Sequence, residues 1–120
     1  TSAKDAVFQL TDLRGLKKEH FIALYTNARN RLIYRETISV GNLTANLVHP
    51  REVFESALQC SASYIFVAHN HPSNDKEPSQ NDIIITKRLV EAGKIMGIKI
   101  VDHIIITKDS YLSFREKGLI

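Results

Sequence analysis

One cysteine, Cys60, is all the thiol chemistry these 120 residues contain. A lone cysteine closes no internal disulfide, so no disulfide framework staples the chain, and the usual closed thiolate zinc sites are excluded with it. A reducing cytosol is the compartment that fits. No apolar run approaches the roughly 18 residues of a membrane span, and the first residues hold no signal-peptide core. Internal repeats and low-complexity tracts are missing too. The opening "TSAKDAVFQL" has no methionine, which suggests a domain cut from something longer. A cytoplasmic location and no membrane partner are the resulting expectations. An excess of one charge sign is also lacking. Sixteen Lys and Arg face thirteen Asp and Glu, and the halves carry eight basic with six acidic, then eight basic with seven acidic. Neither half is a basic tail, and no basic stripe with interleaved aromatics occurs. That weighs against nucleic-acid binding by this segment, despite a pI near 9.1.

What is present suffices for a core. With 43% hydrophobic residues over this length, one domain spanning 1–120 is expected. "VFQLTDLRGL" (7–16) reads as a short helix or an extended lead-in, broken by Gly15. "HFIALYTNARNRLIYRETISVG" (20–41) reads as two strands around the turn "NARN", because β-branched and aromatic residues flank an Asn-rich break. Gly41 and Asn42 end the second. "HPREVFESALQCSA" is helical, with Pro50 suited to the first position and Val53, Phe54, Ala57 and Leu58 at the spacing of one buried stripe. "YIFVA" (64–68) has the continuous apolar character of a central strand covered on both faces. A second helix runs from Ser79 to about Gly97, with Ile85, Leu89, Ala92 and Met96 on one side. "IKIVDHIIIT" (98–107) and "SYLSF" (110–114) are further strands. The fold class is therefore α/β: a mixed sheet flanked by helices on both sides, a layered sandwich.

The stretch "HNHPSNDKEPSQND" (69–82) departs from ordinary loop composition. Taken singly, its residues have plain explanations. Ser79 with Asp82 fits the [ST]-x-x-[DE] cap ahead of a helix. Any single histidine is more often structural than a ligand, and Pro72 and Pro78 are loop punctuation. Together they point elsewhere. Residues i and i+2 of extended backbone face the same way, so His69 and His71 can aim two nitrogens at one point while Asn70 faces away. The first turn of the following helix can return Asp82 to that point. Two imidazoles and a carboxylate make three protein ligands, and zinc with three protein ligands keeps its fourth position for water, the arrangement of catalytic sites.

The pattern H-x-H-P-x6-S-x2-D resembles the zinc signature of the JAMM (MPN-plus) metalloproteases, with His69, His71, Pro72, Ser79 and Asp82 at its fixed positions. "VHPREVF", "AHNHPS", "PSQND", "LVEAGKIMGIKIVDHIII" and "YLSFREKG" together resemble the RadC family of bacterial proteins from about residue 15 onward. The resemblance implies an MPN/JAB-like fold with cytidine-deaminase-like layering, Zn2+ held by His69, His71 and Asp82, and a peptide or protein substrate. The family usually reads "HNHPSG", whereas position 74 here is Asn, a residue that tolerates positive φ. These 120 residues do not include the upstream helix-hairpin-helix-like region that RadC proteins generally carry, so a nucleic-acid partner follows only by family association.

JAMM enzymes use an upstream glutamate as general acid/base, and Glu19 or Glu36 can fill that part. "KKEHFIALY" resembles the family's Glu ahead of an aromatic-led strand, which favours Glu19; its plain reading is a solvated charge beside Lys17 and Lys18. Periodicity alone favours Glu36, which shares an alternation face with Leu32, Tyr34, Ile38 and Val40, an odd place for an unpaired charge; an edge-strand salt bridge with the Arg35 neighbourhood or Arg51 is its plain reading. The resemblance gives Ser79 a second task, donating to the oxyanion of the attacked carbonyl. Asp102 and His103 form a polar pair inside an apolar strand, and Asp102 is either satisfied within the core or accepts the outer N–H of a ligand histidine. His20 and His49 are read as structural or surface residues. The leading expectation is a zinc-dependent hydrolase of JAMM type. The rivals are a DNA-repair or recombination module with binding or nuclease-like chemistry, as the RadC resemblance implies, and a non-catalytic MPN scaffold, against which the intact ligand set argues.

Overall fold

The computed structural model describes residues 3–41 and 48–120. The first helix, α1 (Ala3–Phe8), leads into a single 3-10 turn at Thr11–Leu13. The lead-in thus holds both a helix and a turn, and the helix starts four residues before the stretch that marked it in the sequence. Strands β1 (His20–Thr26) and β2 (Leu32–Val40) form the expected hairpin around Asn27–Arg31; Gly41 follows β2, and Asn42 lies outside the described residues. Then come α2 (Pro50–Gln59), β3 (Tyr64–Asn70), α3 (Gln80–Met96), β4 (Lys99–Ile106) and β5 (Tyr111–Ser113).

The five strands make one mixed sheet in the order β2-β1-β3-β4-β5. Only β3 and β4 pair in parallel; the other neighbours are antiparallel. Parallel strands need a crossover, and α3 supplies it. Strand alternation sorts the core into two layers. Phe21, Ala23 and Tyr25 of β1 face α2 and α3, meeting Val53, Phe54 and Leu89. Ile22 and Leu24 face the other way, meeting Ala6, Val7 and Leu13 of the N-terminal segment. Strand β3 is covered on both faces, as its unbroken apolar run requires. The protein is therefore an α/β sandwich with helices on both sides of a mixed sheet.

Packing at the end of α3 depends on glycine. A Cβ on Gly93 would stand 2.5 Å from the Ile98 carbonyl oxygen, so only glycine admits so close an approach of helix to strand. Gly97 then ends the helix in the left-handed region at φ 73. Two of the residues expected on the buried stripes of α2 and α3 fall outside the core: Leu58 is 57% and Met96 41% exposed. Both line a surface groove between α2 and α3, together with Phe54, Ala92 and Ile95. No helix among the described residues is long and apolar enough to cross a membrane.

Candidate metal centre

The site forms where β3 ends. His69 is the last-but-one residue of β3 and is fully buried, while His71 lies just past the strand and is held to the sheet by its N–H, which donates to the Ile106 carbonyl at 2.9 Å. Pro72 stops the strand, and the chain turns at once: the Asn74 N–H donates to the His71 carbonyl at 3.0 Å. Asn74 has φ 66, the positive value that glycine would supply and that Asn tolerates among non-glycine residues. Its side-chain oxygen accepts from the Lys108 N–H at 3.1 Å, tying the turn to the end of β4.

The crossover then returns the carboxylate. Ser79 is the N-cap of α3 in a reciprocal capping box: its hydroxyl oxygen accepts from the Asp82 N–H at 3.1 Å, and its own N–H donates to Asp82 Oδ2 at 2.8 Å. The box aims Asp82 inward, where it is 2% exposed. Asp82 Oδ1 lies 3.1 Å from His69 Nε2, and Oδ2 lies 3.1 Å from His71 Nε2. The two Nε2 atoms are 2.8 Å apart. Among the described residues, His69, His71 and Asp82 are the one group of His, Cys, Asp or Glu able to hold a metal ion, with ligand atoms within 4.8 Å of one another.

Hydrogen bonding tests whether the group suits a cation. His71 Nδ1 is 2.7 Å from the Asp75 carbonyl oxygen, which only accepts, so Nδ1 carries the proton. In the neutral ring the Nε2 lone pair therefore faces His69 and Asp82. Burial works against the Asp82 carboxylate, yet the adjoining His69 and His71 imidazoles and the Ser79 N–H hold its pKa well below the usual carboxylate range. Burial also opposes the charged form of His71, but the Asp82 hydrogen bond, the Asp75 carbonyl and the Asp82 and Glu19 charges push its pKa up. An ionised carboxylate against two converging imidazole edges is a site that favours positive charge at its centre. The residues fit a metal.

Glu19 reaches the same cleft by strand register. Phe21 of β1 pairs with His69 of β3 in antiparallel fashion, so continuing by two residues sets Glu19 opposite His71. Glu19, His71, Asp75, Ser79 and Asp82 line an open, acidic cleft of about 330 Å³. Asn70, between the two histidines, points to the opposite face as alternation requires. There its Oδ1 accepts from the His20 N–H at 2.7 Å and its Nδ2 donates to the Lys18 carbonyl at 2.9 Å. The backbone is thus clamped immediately before and after Glu19. Alternation alone placed Asn70 away from the ligands and carried no hint of this clamp.

Glu36 is elsewhere. It pairs across from Ala23 and accepts a short hydrogen bond from the Ser56 hydroxyl of α2. Among the described residues neither Arg35 nor Arg51 forms an ion pair with Glu36, and Arg35 instead holds Asp12 at 2.6 Å. The Asp102 carboxylate hydrogen-bonds to neither His69 nor His71. A register shift between Ile65 and Phe66 sets Asp102 across from Phe66, on the face away from the site. There it accepts from the His103 N–H, the Arg115 N–H and the Ser113 hydroxyl. The residue against His69 is instead His103, whose Nε2 is 2.8 Å from His69 Nδ1. The sequence marked the Asp102–His103 pair, but the shift that decides which of the two faces His69 leaves no trace in composition. His20 and His49 stay outside the centre: His20 Nδ1 contacts the Lys18 carbonyl, and His49 is the N-cap of α2 without a side-chain cap.

A family model described as a RadC-like JAB domain matches residues 1–119. A UPF0758 protein of Geobacillus kaustophilus (strain HTA426) is 48% identical over 115 residues, covering 96% of this chain and 51% of that protein. A UPF0758 protein of Desulforamulus reducens is 51% identical over 111 residues, covering 92% of this chain and 49% of its own. One from Bacillus cereus (strain 03BB102) is 49% identical over 113 residues, with 94% and 50% covered. The chain spans about half the length of these curated relatives.

Proposed function

This chain belongs to the family of RadC-like JAB domains, and on that premise we propose that it is a zinc-dependent hydrolase of JAMM type acting on peptide or isopeptide bonds. The observation that carries the reading is the convergence of His69, His71 and Asp82, the last two of which line a cleft together with Glu19 and Ser79. Two imidazoles and one carboxylate suit zinc and leave one coordination position open. Zinc, when bound there, supplies Lewis acidity that polarises a carbonyl and acidifies water.

The side chains divide the remaining work. Glu19 takes a proton from the attacking water as its oxygen adds to the carbonyl carbon. It then passes that proton to the leaving nitrogen as the C–N bond breaks, giving an acid and an amine. Ser79 spends only its oxygen on the helix cap, so its hydroxyl proton is available to the carbonyl oxygen as negative charge develops there. Asn70 keeps Glu19 in reach by fixing the peptide units on either side of it.

The test combines metal analysis with a substrate panel. Protein purified without chelator should contain about one zinc per chain, and His71→Ala should lose most of it while remaining folded. A panel of peptides, isopeptide-linked peptides and nucleic acids should show zinc-dependent cleavage among the first two. Full zinc occupancy in His71→Ala, or cleavage confined to nucleic acids, would overturn the reading.

A further inference from the structure

Behind the metal centre a line of hydrogen-bonding groups runs into the core: His69, His103, Thr86 and the Asp82 carbonyl. We propose that His103 and Thr86 are positioning residues that fix the tautomer of His69 and thereby leave its Nε2 open for the metal. The inference rests on the metal-centre reading above and adds two residues to it.

The direction of each bond follows from the far end. Thr86 has one hydroxyl proton, and its 2.7 Å contact with the Asp82 carbonyl oxygen, which only accepts, uses that proton. Towards His103 Nδ1, a short contact, the Thr86 oxygen can then only accept, so His103 Nδ1 carries a proton. His103 is 0% exposed. Its ring stacks on Phe114 at 4.5 Å and meets the edge of Phe21 at 5.7 Å. Among the described residues no carboxylate hydrogen-bonds to the ring, and a charged imidazolium in such a slot is costly. The neutral ring with Nδ1–H has a lone pair on Nε2, and that atom is 2.8 Å from His69 Nδ1. His69 Nδ1 must donate, which leaves the His69 Nε2 lone pair facing His71 and Asp82. The chain closes on itself: its last acceptor is the backbone of Asp82, whose side chain is the third ligand. A buried outer partner of this kind both orients a ligand ring and sets its tautomer.

Cobalt(II) titration of the metal-free 120-residue protein, followed by visible absorption, reads metal affinity. Ring 1H–15N spectra read the tautomer. His103→Phe keeps an aromatic ring between Phe21 and Phe114 but cannot accept, and it should weaken Co2+ binding by about ten- to a hundredfold. His103→Gln, whose amide oxygen can accept, should restore most of that loss. Thr86→Val, isosteric and two hydrogen bonds from the metal, should weaken binding in the same direction by less. In the wild-type protein the His69 proton should sit on Nδ1 and exchange slowly with water; His103→Phe should lose that signal. A merely structural His103 would lower the melting temperature without moving the tautomer. The proposal is overturned by a folded His103→Phe protein with wild-type Co2+ affinity, or by a wild-type His69 that carries its proton on Nε2. If His103→Phe does not fold, the wild-type spectrum and Thr86→Val decide alone, and unchanged affinity in Thr86→Val overturns the relay. Wild-type protein that binds neither Co2+ nor Zn2+ overturns the metal reading instead, and the His69 spectrum still judges the relay.

Discussion

Glu19 and Glu36 are both carboxylates on the first hairpin, and their surroundings assign them different work. Glu19 lines the cleft with His71 and Ser79, and its charge helps raise the His71 pKa. Glu36 accepts from Ser56 and sits near Tyr25, whose pKa is pushed up by burial and by the Glu36 charge. Glu19→Gln should therefore abolish hydrolysis while retaining zinc, since the residue is not among the ligand group. Glu36→Gln should leave turnover nearly intact and cost on the order of 1 kcal/mol through the altered Ser56 hydrogen bond. Zinc content and turnover measured for both variants on one cleaved substrate decide the matter; an active Glu19→Gln beside an inactive Glu36→Gln would reverse the assignment. Periodicity singled out Glu36 because it lies among Tyr34 and Ile38 on one alternation face. That signal was real, but it reported a contact with α2. What alternation could see is which side a residue faces; what it could not see is a partner from another element, such as Ser56 for Glu36 or His103 for His69.

Elements with strong local signals were legible, and α3 had the clearest. Its start is written in Ser79 and Asp82, its end in Gly97, and both ends fall there in the fold. The α1 helix was less so. It has six residues, and its buried Ala3 and Ala6 precede the apolar stretch that drew attention. Isolated helices that short have no intrinsic stability, so its form comes from packing under the sheet. Leu58 and Met96 had the right spacing for a buried stripe, but a stripe says which flank is apolar and not how far the neighbour extends. The cap on α3 has a separable cost. Ser79→Ala removes the acceptor for the Asp82 N–H and should lower stability by about 1 kcal/mol, read from urea unfolding of the metal-free protein. If the hydroxyl proton also serves the reacting carbonyl, turnover should fall far more than that loss explains. Unchanged turnover on a cleaved substrate would leave the cap as the residue's only task.

Across the whole molecule, the centre joins parts that the chain keeps apart. His69 lies in β3 and His71 just past its end, Asp82 at the start of α3, and a largely exposed loop (72–78) lies between them. The strand order β2-β1-β3-β4-β5 is what sets the start of β1, and so Glu19, beside the end of β3. That order depends on pairings between distant segments, and neither composition nor local spacing records it, although the resemblance implied the layered fold. A metal on His69, His71 and Asp82 would lock the β3–α3 crossover onto the sheet, so binding should stabilise the native state as a whole. Zinc at a hundred times its dissociation constant should add about 2.7 kcal/mol to unfolding free energy. In a domain of this size that corresponds to a rise in Tm on the order of 10 °C. Thermal scans with chelator and with excess zinc measure the difference directly. His71→Ala should show almost none of it, whereas Glu19→Gln should show all of it, because one removes a candidate ligand and the other leaves the His69, His71 and Asp82 group whole. A wild-type Tm that ignores zinc would mean that the three side chains do not bind it in the folded protein. Equal zinc-induced shifts in wild type and His71→Ala would place the metal at some other part of the chain.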